Sequence, residues 1–125
     1  MSREGSKSTF PASVEVRHAD LKSVDSLTRA FAGQDAVVVA SPGSAVHGGQ
    51  TEVADAAVAA GVKRFLPSEF GHNTRKVGDL LPILGKMLAG KKAIVDHLIE
   101  LAKKNPGFTW TGVGTSLFLD WVRAD

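Results

Sequence analysis

Two loops that follow predicted strands hold the residues best suited to binding a small ligand. They are Ser41, Pro42 and Gly43 after the apolar run 35–40, and Pro67, Ser68, Glu69 and Phe70 at the end of the strand pattern 63–67. In open α/β sheets, ligands bind beyond the carboxyl ends of the strands. These residues therefore predict a ligand site at that edge. The alternatives are an ordinary flexible loop at 41–43 and, for Glu69, a structural ion pair with Arg64.

Several common catalytic and metal-binding chemistries have no matching pattern in this sequence. The four histidines lack metal-ligand spacing, and no H-E-x-x-H motif occurs. The absence of cysteine excludes disulfides, thiolate metal sites and a cysteine nucleophile. Ser116 lacks the G-x-S-x-G frame of a hydrolase nucleophile, and a chain without tyrosine has no Tyr-x-x-x-Lys pair. We therefore predict neither a metal site nor a hydrolase.

Short apolar runs alternate with helical patterns along the chain. Strands are predicted at 14–20, 35–40, 63–67 and 108–113, and helices at 24–31, 51–60 and 91–104, with a further helix beginning near 117. Ser23 is the expected N-cap of the first helix, while Gly33 and Gly61 are expected to end the first two. Run 35–40 is nearly all apolar, which predicts a strand buried on both faces.

The alternation of four strands with three helices predicts parallel βαβ units in a single α/β domain, 1–125. The net charge of +2 is small and its basic residues are scattered, so we expect no nucleic-acid partner. No apolar run is long enough to cross a bilayer, and the N-terminus lacks the apolar core of a secretory signal. A cytoplasmic protein without a membrane partner is the expectation, and the oligomeric state is open.

Four segments, taken in order, resemble one known family. They are GQDAVVV at 33–39, GVKRFLPSEFG at 61–71, GKKAIVDHL at 90–98 and FTWTGVGTSLFLDW at 108–121. The chain resembles the NmrA-like, isoflavone-reductase-like reductases, an atypical branch of the short-chain dehydrogenases, and its last segment is most similar to fungal CipA-like members. The second segment is the most specific, because it matches the family's strand-and-loop signature.

The resemblance implies a partial Rossmann-like doubly wound parallel sheet. Members begin with a strand and a glycine-rich loop that meets the cofactor pyrophosphate, and they end in a substrate-binding lobe. Neither part has a counterpart here, so we expect a chain truncated at both ends. The strands at 14–20 and 35–40 should then border a gap and leave unpaired edges.

The resemblance also implies roles for individual residues toward NADP(H). Arg3, helped by Ser6 and Lys7, would contact the 2′-phosphate, because a guanidinium binds phosphate through two parallel hydrogen bonds. Asp20 would meet the adenine ring, although an aspartate at a strand end is commonly a turn or cap residue. The loop at 41–43 would contact the cofactor, and Phe70 would form a wall of the nicotinamide pocket.

Lys91 corresponds to the family's catalytic lysine, which moves a proton to or from the substrate oxygen; Lys86 and Lys92 are alternatives. The implied function is NADPH-dependent reduction of a small aromatic or phenolic substrate. The alternative is a redox-sensing regulator that binds the dinucleotide without turnover. For the chain by itself, an inactive or incomplete form is expected, with doubtful cofactor binding.

Overall fold

The computed structural model describes residues 1–3, 6–7, 9–40, 50–71 and 88–115 of the 125-residue chain. The predictions for Ser41, Pro42, Gly43 and Lys86, and for a helix beginning near 117, lie outside the described residues. The described elements, in chain order, are β1 (Ser2–Arg3), β2 (His18–Ala19), α1 (Val24–Phe31), β3 (Ala36–Val38), α2 (Gln50–Ala59), β4 (Arg64–Leu66), α3 (Ala89–Lys104) and β5 (Thr109–Trp110).

The described strands form two parallel sheets. A three-stranded sheet has the order β3-β4-β5, with Val37 paired to Phe65 and Phe65 to Trp110. A two-stranded sheet pairs β1 with β2, placing Arg3 opposite Ala19. Helices α2 and α3 connect consecutive strands of the larger sheet, as parallel pairing requires. The predicted α/β class with a partial Rossmann-like parallel sheet is confirmed.

All four predicted strands are shorter in the structure, and one further strand is present. The pattern at 14–20 yields only His18–Ala19, and 108–113 yields only Thr109–Trp110. The strand at Ser2–Arg3 was not predicted, because two residues are too few to show a period and their pairing partner lies far along the chain. The expected unpaired edge of β2 is wrong, since β1 pairs with it.

The helices begin and end where local chemistry predicts. The Ser23 side chain caps α1 by accepting a hydrogen bond from the Ser26 backbone N–H at 3.2 Å. Gly33 and Gly61 both adopt a φ of +77°, the left-handed conformation that lets the chain turn away after α1 and α2. Ala54, Ala56 and Ala57 of α2 are fully buried, so this helix lies close to its neighbours.

One apolar cluster joins all three described helices to one face of the larger sheet. Its largest fully buried side chains include Leu27 of α1, Ile94 and Leu98 of α3 and Phe65 of β4. Phe65 and Phe108 contribute an aromatic pair with ring centroids 6.1 Å apart. This cluster anchors β4, and it therefore fixes the point at which the following loop begins.

The prediction that run 35–40 is buried on both faces is wrong. Val37 and Val39 face the core, whereas Val38 between them is 60% exposed. The described helices pack on the Val37 side, so alternate residues of β3 face away from them. No helix within the described residues is long and apolar enough to cross a membrane.

Candidate functional site

The loop 67–71, which we name the PSEFG loop after its sequence, leaves the carboxyl end of β4 and folds back into the protein. Pro67, Ser68 and Glu69 are buried, and Phe70 is half-buried. The ladder between β3 and β4 ends with a hydrogen bond from Val39 N–H to the Leu66 carbonyl, at 2.9 Å. A tight turn follows, in which the Glu69 N–H donates to the Pro67 carbonyl at 2.7 Å. Burial of this turn gives the loop a fixed place beside the strand ends.

Lys91 contacts this loop from the first turns of α3. Its Nζ donates to the backbone carbonyl oxygen of Glu69 at 2.7 Å, and the side chain is half-buried. Lys92, the neighbouring alternative, is exposed. The helix thus brings Lys91, and not Lys92, against the loop that sequence reasoning singled out. By position, Lys91 is therefore the candidate and Lys92 is not.

Glycines make room for the contact between Lys91 and the loop. A Cβ at Gly71 would lie 3.2 Å from the Glu69 carbonyl oxygen and 4.0 Å from Lys91 Nζ. From the other side, a Cβ at Gly112 would lie 3.6 Å from Glu69 Cγ, and one at Gly114 would lie 3.5 Å from the Gly71 carbonyl oxygen. The segment after β5 therefore packs on the PSEFG loop. A Cβ at Gly71 would crowd the Glu69 carbonyl, whereas a Cβ at Gly112 or Gly114 would make ordinary van der Waals contacts.

Gln50, which sequence reasoning missed, connects this loop to α2. It is the first residue of that helix and is only 4% exposed. Its side-chain oxygen accepts a hydrogen bond from the Ser68 backbone N–H at 3.0 Å. Its Nε2 is buried and has no hydrogen-bond partner among the described residues. Leaving such a donor unpaired costs about 1–3 kcal/mol. The available signal was a glutamine between a glycine-rich loop and an alanine-rich helix.

The alternative in which Glu69 pairs with Arg64 finds no support in the described contacts. Arg64 is exposed and donates to Thr111 Oγ1 at 3.3 Å, whereas the Glu69 side chain is buried. The contact between Arg64 and Thr111 follows from the pairing of β4 with β5. Arg64 lies opposite Thr109, and the side chain of Thr111, two residues further on, lies on the same face.

The residues expected near the adenine half of the cofactor lie around the smaller sheet. The backbone of Arg3 pairs with Ala19, which places Arg3 beside the chain that continues into Asp20. Asp20 is exposed and its Oδ1 accepts from the Lys22 N–H at 2.9 Å, the turn contact that was its alternative interpretation. Lys7 is exposed. The structure therefore brings Arg3 and Asp20 to the same end of one sheet.

The charged pair at the opposite edge of the larger sheet is remote from the PSEFG loop. Lys63, just before β4, donates to Asp35, just before β3, at 2.8 Å. This hydrogen bond, with the attraction between the two charges, lowers the pKa of Asp35 and raises the pKa of Lys63. The pair links the amino ends of β3 and β4, at the opposite end of these strands from the candidate site.

The donors at the candidate site suit a ligand rich in oxygen acceptors. The Lys91 ammonium keeps two N–H groups beyond the one given to Glu69, and the Gln50 amide adds two more. A dinucleotide presents phosphate, ribose and carboxamide oxygens, all of which accept hydrogen bonds. The residues present therefore fit such a group at the carboxyl ends of β3 and β4.

Comparison with known proteins adds an independent observation. The model of the NmrA-like family matches residues 1–122. The chain is 39% identical to oxidoreductase aprR of Aspergillus flavus over 121 residues, covering 96% of this chain and 39% of that protein. It is 36% identical to oxidoreductase poxI of Penicillium oxalicum over 123 residues, or 98% of this chain and 38% of that protein. The chain thus spans about two fifths of these relatives. No solved structure matches it.

Proposed function

The chain belongs to the NmrA-like family, and from that premise we propose that the protein is an NADPH-dependent oxidoreductase acting on a small aromatic or phenolic molecule. The observation that carries the proposal is the 2.7 Å contact between Lys91 Nζ and the Glu69 carbonyl. It holds a proton-carrying group at the carboxyl edge of a parallel sheet, where ligands of this class of fold bind. The names of the relatives, both oxidoreductases, support the same reaction class.

Lys91 is suited to supply a proton to a substrate oxygen. An ammonium group carries three N–H donors, and the Glu69 carbonyl accepts one of them. The remaining donors are available to a substrate carbonyl oxygen, and one gives up its proton as that oxygen gains charge. When bound, NADPH supplies the hydride that adds to the carbonyl carbon. One hydride and one proton complete the reduction, and the lysine then regains its proton from water.

We propose that the PSEFG loop and the preceding loop hold the cofactor. Phe70 would form one wall of the nicotinamide pocket, and its half-buried position beside Ser68 and Glu69 supports that role. Ser41, Pro42 and Gly43 would contact the cofactor from the loop that leads into α2. Both sets of residues follow neighbouring parallel strands, which favours a ligand shared between them.

The adenine half would lie toward the smaller sheet. Arg3 and Lys7 would bind the 2′-phosphate, and this basic pair is the reason for proposing NADPH over NADH. Asp20 would accept a hydrogen bond from the exocyclic amine of adenine. Its carboxylate accepts one backbone N–H already and keeps further acceptor positions.

The hydrogen bond between Lys91 and the Glu69 carbonyl also favours a second function, dinucleotide sensing without turnover. A lysine that donates to a main-chain carbonyl stabilises the loop whether or not a substrate is present. Such a protein would bind NADPH through the same loops and would change the conformation of the PSEFG loop when the cofactor leaves. The two functions differ in whether bound NADPH is consumed.

The test is a calorimetric titration of the purified chain with NADPH and with NADH, after circular dichroism has shown that it is folded. Binding of NADPH near 1 μM, about −8 kcal/mol, with weaker binding of NADH, supports a cofactor site in this chain. Bound NADPH is then followed by absorbance with a panel of aromatic ketones, aldehydes and phenolic ethers. Oxidation with any of them supports the enzyme, whereas binding without oxidation favours the sensor. A folded chain that binds neither dinucleotide contradicts both functions for this chain.

A further inference from the structure

We propose that Gln50 contacts the bound dinucleotide directly, donating its amide N–H groups to an acceptor oxygen of that ligand while its carbonyl oxygen holds the PSEFG loop. The inference rests on the proposed function, which supplies the dinucleotide. It deepens that function by adding a residue that binds the ligand and positions Ser68 at the same time.

The orientation of the Gln50 carboxamide follows from its partner. The Ser68 backbone N–H can only donate, so the atom that it meets at 3.0 Å must be the carboxamide oxygen. The amide nitrogen is therefore the other terminal atom of the planar carboxamide, and it offers two N–H groups. Neither finds an acceptor among the described residues, although the residue is 4% exposed. Buried polar groups are ordinarily paired, which makes this donor one that a ligand can complete.

The position of Gln50 in the fold points to the same ligand. Gln50 opens α2, the helix that follows β3, and through Ser68 it touches the chain just after β4. It thus lies beyond the carboxyl end of β4, the strand that pairs in parallel with β3. Ligands of open α/β sheets bind outside the carboxyl ends of the strands. From the same loop, the Glu69 carbonyl holds Lys91, so Gln50 and Lys91 are linked through two consecutive residues.

A role limited to packing would not require this amide. A side chain of similar volume without polar atoms would fill the same space, and a carboxylate would still accept the Ser68 N–H. Only a ligand oxygen, or a water molecule in its place, makes use of the N–H groups. A packing role, a bound water and a contact to the ligand respond differently to added cofactor. The NMR signals of the Gln50 side-chain amide distinguish them.

The first measurement follows the side-chain amide signals of the wild-type chain by ¹⁵N-¹H correlation NMR during a titration with NADPH. The sequence has two glutamines, Gln34 and Gln50, so Gln34 is a built-in control. Gln34 is exposed and lies before β3, at the opposite edge of the sheet. We expect the Gln50 signals to shift with the same midpoint as NADPH binding measured by calorimetry, and the Gln34 signals to stay in place.

The second measurement compares Gln50→Glu with Gln34→Glu, which make the same chemical change at the two positions. Gln50→Glu keeps an oxygen for Ser68 but replaces the N–H donors with an acceptor that repels the ligand oxygen. We expect about tenfold weaker NADPH binding for Gln50→Glu and less than about twofold change for Gln34→Glu. The Ser68 backbone amide signal reports whether the loop contact survives the substitution. The wild-type titration remains decisive if Gln50→Glu does not fold.

The outcomes separate this inference from the function beneath it. If NADPH binds and the Gln50 amide signals do not change, then Gln50 has a purely structural role or its amide binds a water molecule. That result refutes the inference and leaves the proposed function unaffected. Equal affinities of Gln50→Glu and the wild type, with both proteins folded, refute it as well. A folded wild-type chain that binds no NADPH refutes the proposed function first, and the inference with it.

Discussion

Lys91 Nζ donates a 2.7 Å hydrogen bond to the backbone carbonyl oxygen of Glu69, joining the first turns of α3 to the PSEFG loop. The acceptor is a main-chain carbonyl, so the contact fixes the ammonium group without neutralising its charge. The contact holds the ammonium group against the PSEFG loop and leaves two of its three N–H groups for other acceptors.

Lys91→Met should remove turnover while keeping the cofactor. We expect the rate of NADPH oxidation to fall by about 10²–10⁴-fold, the usual contribution of a positioned acid, while the NADPH dissociation constant changes by less than about threefold. Lys92→Met is the matched control, because Lys92 is the exposed neighbour on the same helix. Steady-state kinetics and calorimetry on both variants check this. Equal loss in the two variants, or no loss in Lys91→Met, would contradict a proton-donating Lys91.

Gly71→Ala should disturb the same contact through its backbone acceptor. The added Cβ would lie 3.2 Å from the Glu69 carbonyl oxygen, so that carbonyl, the acceptor of the Lys91 hydrogen bond, must shift by a few tenths of an ångström. We expect a loss of about 1 kcal/mol in the free energy of unfolding, and weaker NADPH binding. Gly107→Ala is the control, since nothing lies within 4 Å of its Cβ position. Urea denaturation of both variants measures the difference, and equal stability would argue against crowding at Gly71.

The features that the sequence predicts well are those determined by neighbouring residues. Helix α1 is defined by its Ser23 cap, by the spacing of Leu27 and Phe31, and by the left-handed Gly33 that follows it. All of these signals lie within a few residues of one another, so a local pattern is enough. The PSEFG loop was located for the same reason, because it directly follows a recognisable strand.

The features that the sequence does not predict depend on contacts between distant segments. Strand β1 exists only through its pairing with β2, and the exposure of Val38 depends on which face the helices cover. Gln50 could not be identified because its role depends on where the Ser68 N–H points. The choice between Lys91 and Lys92 likewise required the rotation of α3 relative to the loop. Local periodicity contains none of this information.

Substitutions in β3 and β4 should distinguish the covered face of the sheet from the open one. Phe65 is fully buried in the core cluster, and Phe65→Ala should cost about 3–5 kcal/mol of unfolding free energy. Val38→Ala, on a side chain that is 60% exposed, should cost less than about 1 kcal/mol. Urea unfolding followed by circular dichroism gives both values. A large loss for Val38→Ala would indicate that the open face is covered in solution, for instance by a second copy of the chain.

Asp35 and Lys63 should make a stability contribution that depends on both pH and salt. The hydrogen bond between them lowers the pKa of Asp35, so its contribution is present above the carboxyl's ordinary pKa and is lost as the pH falls through the lowered value. The same contact raises the pKa of Lys63, so that contribution is present below the ordinary lysine pKa and is lost as the pH rises through the raised value.

The difference in Tm between the wild type and Asp35→Asn should therefore be constant around neutral pH and should disappear in strong acid and in strong base. Because both side chains are exposed, added salt should also shrink it. If the difference in Tm between the wild type and Asp35→Asn persists in strong acid, Asp35 stabilises the fold through something other than its charge.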